Sequence, residues 1–307
     1  MFFNVLQNVL VMLCYMLLAW ALVRTHKFEA GHARSFSGLL IYVLGPCMII
    51  NAFLNLSYTP DTLKKIAVFF LLTLVVQLLF FGLLYLVLRK RFEDARYRVL
   101  SCGAVLGNVG FLGLPLISTV FPNEPIVTCY SSVYVMSMNL LVFTIGVFLL
   151  TGDRRFMSVR SALLNPTSIS LLIAVPLFIA GIKLPEVPSS MLSLLSKMVT
   201  PVCMFILGMR LSTVPLKKLV TRPFVYVTCV LKLIVYPLFA YALVYFLPCF
   251  SDVVKISLFV LSATPSGAVI LSLAELHDAE PELSANVVLL TTILSVITIP
   301  LMVLLVL

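Results

Sequence analysis

The chain has 307 residues, 62% of them hydrophobic and 11% charged, with a formal net charge of +9. That composition and a mean hydropathy of +1.15 exclude a soluble globule with a polar surface and point to a polytopic membrane protein. The basic excess is not a nucleic-acid signature, because fifteen of the Lys and Arg residues lie in or beside alternate loops between the apolar segments and only five in or toward the opposite loops.

A helix needs about 20 apolar residues to cross the hydrocarbon core. Ten such segments are readable, at 4–23, 36–56, 66–88, 98–120, 126–150, 166–182, 190–211, 223–247, 253–276 and 284–306. The linkers are short, so the expectation is an all-α membrane protein with a single domain over 1–307 and no soluble catalytic or regulatory part. The loops after segments 1, 3, 5 and 7, together with the bordering segment ends at Arg98 and Arg210, hold the fifteen basic residues, including Arg89-Lys90-Arg91 and Arg154-Arg155. The positive-inside rule places these loops in the cytoplasm and both termini outside. A cell-membrane location and contact with anionic lipids follow as expectations.

Segment 1 lacks a basic residue before its apolar run and is followed by Arg24, Lys27 and Arg34, the reverse of a cleavable signal peptide. Segment 2 contains Gly45-Pro46 and runs out at Leu56-Ser57-Tyr58-Thr59-Pro60. Segment 7 contains Thr200-Pro201 and runs out at Leu211-Ser212-Thr213-Val214-Pro215, so these prolines and the Leu-Ser pair recur at an offset of 155. Five segments per copy is an odd number, and the second copy then enters the membrane upside down. The expected architecture is a 5+5 inverted repeat, about 1–150 and 161–307.

Segment 3 carries one strongly polar residue, Gln77, and the same offset lands on Lys232 in segment 8. Lys232 stands nine residues beyond Pro223, about 14 Å into the span by helical rise. All twelve acidic residues lie in loops or at span ends. A buried ammonium without a carboxylate must find other acceptors, face water, lose its proton or meet an anionic ligand. Two readings stand side by side: Lys232 touches a ligand, or it bonds to bare carbonyls at a broken helix.

Segment 4 supplies the broken helix. Residues Leu106 to Ile117 place three glycines and Pro115 inside an apolar run, and neither residue type favours a continuous helix. Freed backbone groups cannot face lipid, so the break must sit inside protein or line a wet cavity. A second break is expected at Ala263-Thr264-Pro265-Ser266-Gly267, with Pro265 150 residues after Pro115. Two broken spans at matching places mark a carrier site. Half-helices starting near Pro115 and Pro265 point positive dipole ends at the membrane centre, which suits an anion.

Gly103-x-x-x-Gly107 reads as a close helix contact. Segment 5 adds the polar stripe Ser131, Ser132, Tyr134, Ser137 and Asn139, the last too polar for lipid. The loop after segment 9, with Glu275, His277, Asp278, Glu280 and Glu282, reads as solvated. Candidate binding residues are therefore Asn108, Gly110, Gly113, Pro115, Thr264, Pro265, Ser266 and Gly267 at the breaks, with Gln77, Asn139 and Lys232 around them. Seven scattered cysteines without a Cys-x-x-Cys pair form neither a disulfide framework nor a metal site. No cofactor motif occurs. Paired carboxylates, a His cluster or a Ser-His arrangement inside a span are missing too, so an intramembrane enzyme finds no support.

Leu106-Gly-Asn108-Val-Gly-Phe-Leu-Gly113-Leu-Pro115-Leu resembles the fourth-helix crossover of the auxin efflux carrier family, which includes plant PIN auxin exporters and bacterial carriers of malonate, malate and related acids. Thr264-Pro265-Ser266-Gly267, followed by Ala274-Glu275 and Pro281-Glu282, resembles the family's ninth helix and exit loop, and Thr200-Pro201 with Gly208 its seventh. The resemblance implies a dimerising scaffold of spans 1, 2, 6 and 7 and a mobile transport part of spans 3–5 and 8–10. It also implies that Asn108 meets the substrate carboxylate and that Pro115 and Pro265 shape the site. PIN proteins have Pro-Gln-Gly where this chain has Pro265-Ser266-Gly267, and their long cytoplasmic loop is missing here.

The expected function is elevator-type secondary transport of a small organic carboxylate. With no carboxylate at mid-membrane, uniport driven by membrane potential is the expected coupling. The competing class is a sensor with the same fold that binds a ligand without moving it, and measurable turnover separates the two.

Overall fold

The computed structural model describes residues 2–213 and 222–306; Val214, Pro215, Lys217 and Lys218 of the predicted seventh loop and repeat lie outside the described residues. In chain order the helices are α1 (Phe2–Arg24), α2 (Ala30–Leu54), α3 (Pro60–Leu88), α4a (Ala95–Val105), α4b (Val109–Val120) and α5 (Ile126–Thr151). They continue as α6 (Pro166–Ile179), α7 (Glu186–Thr213), α8 (Pro223–Tyr245), α9a (Asp252–Ser262), α9b (Ala268–Leu276) and α10 (Pro281–Val306). Eight helical stretches among the described residues are long and apolar enough to cross a membrane. The two segments expected at 98–120 and 253–276 are each divided in two.

Local chemistry sets the starts. The Thr59 hydroxyl accepts the Thr62 N–H at 3.0 Å and Pro60 occupies the first turn of α3, where its missing donor costs nothing. Asp94 caps α4a in the same way, and Asn165 with Pro166 opens α6. Three further prolines sit inside spans and meet a different solution. Wide π turns at Leu40–Leu44, Val109–Gly113 and Leu231–Val235 end two residues before Pro46, Pro115 and Pro237. The wider turn gives each ring room beside the carbonyl it otherwise strikes.

Packing divides the helices into two groups. α1 runs along α7, and α2 packs on both α6 and α7. Gly208 lets the first pair touch at the backbone, since a Cβ there falls 2.0 Å from the Met16 carbonyl oxygen. In the other group α3 lies on α5, α8 on α9a and α10, and α4a against α3, α8 and α10. α4b and α5 face both groups, α4b through α1 and α7 and α5 through α2 and α6.

The first break falls earlier than the prolines suggest. Helix stops at Val105 and resumes at Val109, with Asn108 at φ −82° and ψ 53°. Pro115 lies in the first turn of the α-helical part of α4b, where the preceding π turn absorbs it. The second break, Ala263–Gly267, does contain Pro265. The half-helices therefore begin at Val109 and Ala268, six residues before Pro115 and three after Pro265.

Candidate functional site

The two breaks meet each other. The Asn108 N–H donates to the Pro265 carbonyl at 2.7 Å and the Gly267 N–H to the Leu106 carbonyl at 2.9 Å, around an antiparallel bridge between Gly107 and Ser266. Backbone groups that the broken helices cannot satisfy thus satisfy one another away from lipid, as a membrane interior demands. Glycine is required for this approach: a Cβ on Gly267 falls 2.9 Å from the Gly107 carbonyl oxygen. Side chains complete the junction. The Ser266 hydroxyl donates to the Gly103 carbonyl at 2.8 Å, and the Thr291 hydroxyl accepts the Ser266 N–H at 3.1 Å. Thr264 bonds back to Leu261.

Lys232 belongs to this junction. Fully buried, its ammonium donates to the carbonyls of Val105 at 3.3 Å and Ser262 at 3.1 Å and lies 4.6 Å from the Tyr236 ring centroid. Val105 and Ser262 are the last residues of α4a and α9a. Each such C-terminal end carries bare carbonyls and the negative end of a helix dipole, so one lysine head supplies a donor to two helix ends. Gln77, on α3, donates to the Thr73 carbonyl and the Ser137 hydroxyl, both at 3.0 Å. Its Oε1 is buried without a partner.

A cavity of about 210 Å³ adjoins the junction. Its lining comes from α2, α4b, α5, α6, α7 and α9b and is mostly apolar. Of the residues expected at the site, Asn108, Gly110, Asn139 and Gly267 line it, whereas Gly113, Pro115, Thr264, Pro265, Ser266, Lys232 and Gln77 stand behind. Pro115 acts at one remove. Lacking an N–H, it frees the Phe111 carbonyl four residues back, and the Thr200 hydroxyl of α7 donates to that carbonyl at 3.2 Å.

The starts of both half-helices open into this space. Asn108 and Gly267 are their capping residues, and neither makes a side-chain cap. First-turn N–H groups have no acceptor within a helix, so the backbone at Val109–Gly110 and Ala268–Val269 presents donors and positive dipole ends to the cavity. The Asn108 amide nitrogen meets only the Cys203 sulfur, at 3.7 Å. Asn139, from α5, donates to the Asn165 side chain at 3.5 Å, tying a lining amide to the cap of α6.

Arg210 is the residue that sequence reasoning missed. It is the single charged residue among the described ones lining the cavity, yet its place next to a basic loop reads as topology alone. A signal was present: Cys203, Ile206, Leu207 and Arg210 follow the spacing of one helical face, and all four line the cavity. Arg210 Nη1 donates to Glu275 Oε1 at 2.6 Å, while its Nε is buried with no partner.

Comparison with known proteins identifies the family. The family model described as membrane transport protein matches residues 4–160 and 154–303. A relative from Methanocaldococcus jannaschii, described as an uncharacterized transporter, is 28% identical over 287 residues, covering 88% of each chain. With matches running nearly end to end, the chain belongs to the membrane transport protein family, that of the auxin efflux carriers, and is an integral membrane transporter.

Proposed function

We propose that this protein carries small organic carboxylate anions across the membrane by elevator-type alternating access. The observation that carries the reading is the pair of uncapped helix starts at Asn108 and Gly267, which face one mostly apolar cavity. Each start contributes roughly half a positive charge and several free N–H groups. No carboxylate side chain is found among the described lining residues to repel an anion. Asn108 supplies directional hydrogen bonds beside them and Asn139 closes the α5 side. A space of about 210 Å³ is smaller than the roughly 300–1,000 Å³ of sites for drug-sized ligands, so the cargo is small.

In this reading the chain crosses the membrane ten times as a 5+5 inverted repeat, with α4a–α4b and α9a–α9b as the broken, crossing spans and both termini outside. The group α1, α2, α6 and α7 is the scaffold and dimerises; α3–α5 and α8–α10 move past it with the anion. Glycine at position 208 and the close α1–α7 contact fit a rigid scaffold. Gln77 and Lys232 hold the moving part together from behind the site. Uniport driven by membrane potential is the coupling, because the acidic residues are confined to loops and span ends.

Uptake into proteoliposomes tests this. Labelled succinate or indole-3-acetate is expected to enter saturably, faster under an imposed potential and independently of sodium or proton gradients. Folded protein with no saturable flux of either acid overturns the reading, and strong stimulation by a sodium or proton gradient overturns the uniport part alone.

A further inference from the structure

Arg210 and Glu275 form an ion pair between two elements that the rest of the site brings together for other reasons. Arg210 stands on the cavity face of α7, two turns after Cys203, which touches the Asn108 amide. Glu275 lies in the last turn of α9b, the nine-residue half-helix whose uncapped start faces the same cavity. Ser272, between that start and Glu275, also lines the space, so the cavity follows α9b from its first turn toward the ion pair. Arg210 is mostly buried, its side chain 20% exposed, while Glu275 is 48% exposed.

Only part of the guanidinium is occupied by that pairing. Nη1 holds one Glu275 oxygen, and the buried Nε has no partner. A guanidinium is a rigid fork suited to gripping a carboxylate through two donors at once. A buried donor left empty is unfavourable, and an anion entering the cavity offers it an acceptor.

We infer that Arg210 is an anion-binding residue of the cavity and that Glu275 is its internal competitor. An arriving carboxylate takes the guanidinium from Glu275, and loss of that pair releases α9b from α7. This inference rests on the carboxylate reading of the site and adds to it a charged contact and a tie that cargo undoes. A contact serving only to fasten α7 to α9b makes the opposite prediction, since an anion then gains nothing from removal of Glu275.

The test titrates purified intact protein in detergent with succinate and with indole-3-acetate, using succinamide as the uncharged control, and records melting temperature for each variant. E275Q is expected to bind the acids about fivefold more tightly, the equivalent of the ~1 kcal/mol of an exposed ion pair, while melting no higher than the parent. R210Q is expected to bind about tenfold more weakly, with R210K between. If the acids bind the parent but all variants bind them equally, with melting temperature alone reduced, Arg210 is a fastening and the inference fails while the carboxylate reading stands. Binding of neither acid to the parent overturns both, and succinamide binding as well as succinate overturns the role of charge.

Discussion

The two sides of one pair of broken helices are treated in opposite ways. At the C-terminal ends, the terminal carbonyls of Val105 and Ser262 are both met inside the protein by Lys232. At the N-terminal starts, Val109 and Ala268, the capping residues make no side-chain cap and the donors face a cavity. The same interruption thus yields a half whose terminal carbonyls are bonded within the protein and an open half with positive dipole ends. A broken helix in lipid must satisfy its bare groups somewhere, and here only the end of the polarity an anion can use is left for a ligand. The lysine that looks like the obvious anion contact has been consumed by the other end.

The strongest way to break this contrast is Lys232→Met. It removes the shared partner of two helix ends and leaves their carbonyls unsatisfied in a buried place, at a cost of about 3 kcal/mol. Thermal melting in detergent should show a large drop, while anion affinity among the molecules that remain folded stays close to that of the parent. Affinity lost without destabilisation would move Lys232 to the ligand side of the comparison.

Gly267→Ala sits on the border. Its Cβ falls 2.9 Å from the Gly107 carbonyl oxygen, a backbone atom that cannot swing aside, and the strain is expected to cost about 2 kcal/mol. Both melting temperature and anion binding should fall, because the junction and the start of α9b share this residue. Asn108→Asp probes the open half alone. The shapes match, the buried side chain acquires negative charge beside the anion site, and carboxylate affinity should drop at least ~10-fold, about 1.4 kcal/mol, with a smaller change in melting temperature. An unchanged affinity in titration would remove Asn108 from the binding surface.

Much of this was legible in the residues. Runs of about 20 apolar side chains and their caps place α1, α5, α8 and α10 within a few residues of the expected segments, because length and hydropathy are local properties. The existence of both breaks was legible too, from glycine and proline. The position of the first was not: Pro115 reads as the breaker, but a π turn accommodates it and the chain opens at Gly107 instead. Such compensation depends on neighbours outside the segment. The partners of Lys232 were open for the same reason, since Val105 lies 127 residues away in sequence. Arg210 was hidden by its own address, a charge at a span end that hydropathy assigns to the loop, although its helical spacing from Cys203 turns it toward the cavity.

The finest test of the contrast is Thr200→Val. The hydroxyl donates to the Phe111 carbonyl that Pro115 leaves free, joining α7 to the first turn of α4b. Valine keeps the shape and removes the donor, so one partly buried carbonyl loses its partner, at a cost of about 1 kcal/mol. The carbonyl belongs to the half-helix whose start faces the cavity, yet it points its negative end elsewhere. A small fall in melting temperature with unaltered anion affinity is therefore expected. If affinity instead moves as much as stability, the alignment of α4b on α7 governs the site, and the division between a structural junction and an open anion pocket is drawn one turn too early.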